Sequence, residues 1–61
     1  MTKTFIEGDQ VRVLPLDYLK PRLRDVRGVV VAWHHDNLYE VRMETTDEFV
    51  GVFEGSELEK V

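Results

Sequence analysis

Arg27-Gly28-Val29-Val30-Val31-Ala32-Trp33, then His34-His35-Asp36-Asn37, then Leu38-Tyr39-Glu40-Val41-Arg42-Met43-Glu44, is the stretch that decides the fold. The first run is apolar at nearly every position and rich in β-branched residues, so it reads as a strand covered on both faces. The last run alternates, with Tyr39, Val41 and Met43 on one side and Glu40, Arg42 and Glu44 on the other, which is the period of a half-buried strand. Four polar residues between them predict a turn. The pair is therefore a hairpin with one apolar face.

Three further runs lie outside it. Gln10–Leu14 places Val11 and Val13 on one face, after a Glu7-Gly8-Asp9 turn in which Gly8 supplies positive φ. Glu48–Phe53 and Leu58–Val61 follow, joined by Glu54-Gly55-Ser56-Glu57, which predicts a single 3₁₀ turn. The connection Thr45-Thr46-Asp47 is another turn. Between Pro15 and Val26 the chain neither alternates nor repeats with helical period, and Pro21 lacks a strand's donor. That stretch predicts a long loop, with one helical turn near Asp17–Lys20. Leu16, Tyr18, Leu19 and Leu23 are expected to fold over one end of the core. Five short strands in one domain, residues 1–61, predict an all-β fold and a five-stranded small barrel of the SH3-like kind.

A chain of 61 residues has little interior. Domains of this size bury only about 60% of the surface their unfolded chains expose. The sequence has no cysteine, so neither a disulfide nor a thiolate metal site supplements the core. Association with another copy or another protein is the supplement that remains. No run reaches the length of a membrane span, and no secretory pattern opens the chain, so a cytoplasmic location is expected.

Net charge is −4 and unevenly spread. Residues 1–33 carry six Lys and Arg against four Asp and Glu, whereas residues 34–61 carry two against eight. Acidity disfavours nucleic acid as a partner, since that binding depends on phosphate neutralisation. Lys20, Arg22, Arg24 and Arg27 form a basic segment in the long loop, a candidate docking surface for an acidic protein. In the fourth run, alternation assigns Val50 and Val52 to the core. Phe49 and Phe53 then flank the bare Gly51 on the opposite face, a candidate interface.

Chemistry-bearing patterns are sparse. His34-His35-Asp36 lies on a turn whose adjacent side chains diverge, and no third ligand is suitably spaced, so no metal site is expected. No nucleophile–base arrangement, phosphate loop or catalytic carboxylate pair is evident, and no cofactor is expected. Trp33, at the end of a strand, is expected in the core; the other role open to it is a stacking surface for a proline-rich peptide, with Tyr18 or Tyr39.

Gly8-Asp9-Gln10-Val11-Arg12, Gly28-Val29-Val30-Val31-Ala32-Trp33, Tyr39-Glu40-Val41 and Leu58-Glu59-Lys60-Val61 together resemble the barrels grouped as electron-transport accessory proteins. That group includes the nitrile hydratase β chain, a photosystem I accessory subunit, the variable chain of ferredoxin–thioredoxin reductase and the plasmid-borne type II dihydrofolate reductases. The pattern is most similar to the last, from Tyr39 to Val61 without a gap. The reductases' chemistry resides in a Val-Gln-Ile-Tyr strand lining the pore of a homotetramer. Val50, Gly51, Val52 and Phe53 stand in those positions here, so the amide and the hydroxyl that hold ligand are missing. The resemblance implies the fold and self-association through this strand, without the reductase activity. The expected function is a non-catalytic interaction or assembly module. Its rivals are a divergent reductase-like oligomer with another pore ligand and a docking subunit for a ferredoxin-type carrier.

Overall fold

The computed structural model describes residues 4–45 and 49–61. Five strands form one antiparallel sheet: β1 (Gln10–Val13), β2 (Arg27–His34), β3 (Leu38–Met43), β4 (Val50–Glu54) and β5 (Leu58–Lys60). Their order across the sheet is β4-β3-β2-β1-β5. Short 3₁₀ turns occupy Pro21–Leu23, His35–Asn37 and Gly55–Glu57. The turn after β4 matches expectation. The one expected near Asp17–Lys20 lies further on, at Pro21–Leu23, because Pro21 has the fixed φ that suits a first helical position. The expected start of the fourth run at Glu48, and the Thr46-Asp47 part of the turn before it, lie outside the described residues.

Residues facing one another across antiparallel strands share a face, and this fixes the core. Val11 faces Gly28, and Gly28 faces Met43; Val30 faces Val41; Val13 faces Leu58; Tyr39 faces Phe53. All are buried, and with Phe5 the large ones form a single apolar cluster. Among the described residues no α-helix or second sheet covers this face. The sheet must curl so that its inner side packs on itself, with Leu19, Leu23 and Val26 of the long loop laid against it. Tyr18 does not join them and is exposed. Hydrogen bonding does not close the sheet: β4 and β5 remain its two edges. The chain turns between them, and the turn is held by a reciprocal box. Glu57 accepts from the Glu54 N–H at 2.8 Å, while the Glu54 side chain accepts from the backbone of Glu57.

Two expectations about burial are overturned. The first is in β4. Phe53 is only 4% exposed, whereas Val50 and Val52 are 51% and 57% exposed. Both sets are apolar, so alternation alone could not orient the strand. Register decides it, because Phe53 pairs with inward Tyr39. Gly51 is on the inner face too, and a Cβ there would lie 2.8 Å from the Phe53 ring. The glycine makes room for its own strand's aromatic residue.

The second expectation concerns Trp33, which is 60% exposed rather than core. The β2–β3 register pairs Val30 with Val41 and then Ala32 with Glu40, leaving Val31 as an extra residue in β2. This β-bulge shifts the alternation by one. Trp33 then pairs with Tyr39 on the inner face, but at the end of the sheet, where little covers it.

Candidate functional site

Two surfaces stand out. The first is the open edge of β4. The Met43 N–H donates to the Phe49 carbonyl at 2.9 Å. In this register the hydrogen-bonded pairs are therefore Met43 with Phe49, Val41 with Gly51, and Tyr39 with Phe53. The N–H and C=O groups of Val50 and Val52 point the other way, off the sheet, and have no partner among the described residues. Glu54 is oriented likewise, but its N–H is taken by Glu57. The β4 edge is thus two residues of unpaired backbone carrying two exposed valines. The other edge is different: β5 carries charge, with Glu59 paired to Arg12 at 2.8 Å and Lys60 within 3.8 Å of Asp9. Charged edges resist strand addition, and apolar ones invite it.

Of the sequence-derived interface residues Phe49, Gly51 and Phe53, Phe49 is partly exposed, Gly51 is half-buried on the inner face and Phe53 is buried. The strand is the one singled out, but its accessible side carries Val50 and Val52. Outward register could have been inferred only from the pairing with Tyr39.

The second surface is a cleft of about 530 Å³, open to solvent, at the end of the sheet where Trp33 emerges. Phe5 and Tyr39 meet edge to face, ring centroids 5.3 Å apart, and belong to both core and cleft. The Tyr39 hydroxyl accepts from the Phe5 N–H at 3.3 Å and donates to Asn37 Oδ1 at 3.1 Å. Ile6 and Trp33, both largely exposed, flank this pair. His35 approaches the indole at 6.2 Å between ring centroids. Glu7 supplies the charge among the described lining residues. The signal in sequence was Trp33 itself; what the sequence did not reveal was its place at the uncovered end of the sheet.

The basic loop divides. Lys20, Arg22 and Arg27 are exposed and make no ion pair among the described residues. Arg24 is turned inward as a clasp: its Nε donates to the carbonyls of Leu16 and Leu19 at 3.0 and 3.1 Å, and its Nη2 to that of Asp17 at 2.8 Å. Its guanidinium organises the loop, so it is a poor docking contact. Arg12, not singled out in the sequence, ties Asp25 of the loop to Glu59 of β5. Its pKa is raised, chiefly by the hydrogen bond to Glu59. Tyr18 is raised from 10.0, first by its hydrogen bond to Glu57.

His34 pairs with Glu40 at 3.2 Å, while His35 lies against Trp33. Among the described residues no group of three or more His, Cys, Asp or Glu is placed to hold a metal ion, and no helix is long and apolar enough to cross a membrane. Comparison with protein-family models, with curated proteins and with solved structures gives no match to this chain.

Proposed function

We propose that the protein is a non-catalytic assembly module that self-associates through β4, and that its curled sheet is a small barrel of the SH3-like kind. One observation carries this reading: Val50 and Val52 present both unpaired backbone groups and exposed side chains on the open edge of the sheet, with the charge that β4 itself carries, Glu54, at its far end. A strand from a second copy, running antiparallel, would satisfy those groups. Each valine, with about half of its surface left to cover, contributes on the order of 1 kcal/mol when buried in the contact. A two-fold axis through the edge would use the same surface twice. The resemblance to barrels that associate through the corresponding strand supports the choice of partner. Where those barrels place an amide and a hydroxyl for ligand, this chain has Gly51 and the buried Phe53, which supports the absence of their chemistry.

The test is amide hydrogen exchange as a function of protein concentration. The Val50 and Val52 amides are expected to exchange freely in dilute solution and to gain protection as concentration rises. Protection that stays constant over the range would count against the reading.

A further inference from the structure

We infer that the aromatic cleft binds an arginine or lysine side chain presented by an extended, otherwise apolar peptide. The inference goes beyond self-association and concerns a different surface. Trp33 offers an indole face that is mostly uncovered, and the β-bulge at Val31 is what turns it toward Tyr39. Bulges that re-aim one side chain recur at functional sites. Beneath it, Phe5 and Tyr39 are fixed by their mutual packing and by the two hydrogen bonds of the Tyr39 hydroxyl, so the site needs little reorganisation on binding. The volume is in the range of small-molecule ligand pockets, about 300–1,000 Å³.

Charge selects the ligand. The described lining is apolar apart from Thr4, Asn37 and the carboxylate of Glu7. Glu7 is exposed and makes no ion pair among the described residues, and the chain as a whole is acidic. A cation over the Trp33 ring is attracted by the ring's quadrupole and by this carboxylate together. An anion would find neither. The exposed Ile6 and the rest of the indole leave apolar surface for the residues flanking the cation, which favours a peptide over a free small cation.

Trp33 is the sole tryptophan, so its fluorescence reports the site directly. The probes are blocked pentapeptides of alanine and proline with arginine, norleucine or glutamate at the centre. The arginine peptide is expected to change the emission saturably, with affinity falling as salt is raised. Glu7→Gln is expected to weaken it by roughly three- to tenfold. Trp33→Leu, followed by anisotropy of a labelled arginine peptide, is expected to abolish it. No saturable response to the arginine peptide would overturn the inference. So would equal affinity for the norleucine or the glutamate peptide. Sedimentation of the same samples reports assembly separately, so loss of one reading does not entail loss of the other.

Discussion

At the scale of single residues, stability turns on room and on hydrogen bonds. Gly28 is buried between strands, and a Cβ there would lie 2.6 Å from both the Arg42 carbonyl oxygen and a Val41 methyl. At Gly51 the obstruction is the Phe53 ring instead. Backbone yields less readily than a ring. Gly28→Ala is therefore expected to cost about 2–3 kcal/mol and Gly51→Ala about 1–2 kcal/mol, measured by urea denaturation; the reverse order would contradict this packing. Tyr18 provides a titration. Its raised pKa, from the hydrogen bond to Glu57, means that the neutral phenol is favoured in the folded protein. The associated stability is present below the ordinary tyrosine range and is lost as pH rises through the folded-state value. In a spectrophotometric titration, the component removed by Tyr18→Phe is expected above pH 10. A removed component at or below the ordinary value would show that the hydrogen bond is not formed in solution.

At the scale of elements, the long loop is held by Arg24. Its three bonds go to carbonyls spread along Leu16–Leu19, a fork that lysine cannot reproduce. Arg24→Lys is expected to speed amide exchange at Leu19 and Leu23, whose N–H groups bond within the loop, while leaving Val30 slow. Unchanged exchange at both would mean that the clasp is not what orders the loop. The strands themselves were legible in the sequence, each to within a residue or two at its described ends. Which way two of them face was not. In Val50-Gly51-Val52-Phe53 both faces are apolar, so period 2 gave an alternation without a sign. In Val29-Val30-Val31-Ala32 the bulge leaves no compositional mark, because the extra residue is a valine among valines. Both ambiguities disappear once the neighbouring strand is known, since Tyr39 pairs with Phe53 on one side and with Trp33 on the other. The Arg24 clasp was equally hidden, because a loop arginine that binds carbonyls and one that faces solvent look alike in sequence.

At the scale of the molecule, a small core leaves an apolar strand edge unsatisfied, and the proposed cover is a second copy. This also fixes which substitution separates folding from assembly. Removing Phe53 would empty the core and cost about 3–5 kcal/mol, a large part of what a domain of this size possesses. Its loss would report unfolding rather than dissociation. The Val52 side chain is exposed in the single chain, so Val52→Lys leaves the core intact and places a charge on the edge, the device by which strand edges avoid pairing. Sedimentation velocity on the wild type and Val52→Lys, with circular dichroism to confirm the fold of each, is the most direct measurement. The wild type is expected to be at least dimeric at micromolar concentration, and the variant folded and monomeric. A wild type that stays monomeric across the concentration range, or a variant that keeps the wild-type sedimentation coefficient, would contradict self-association through β4.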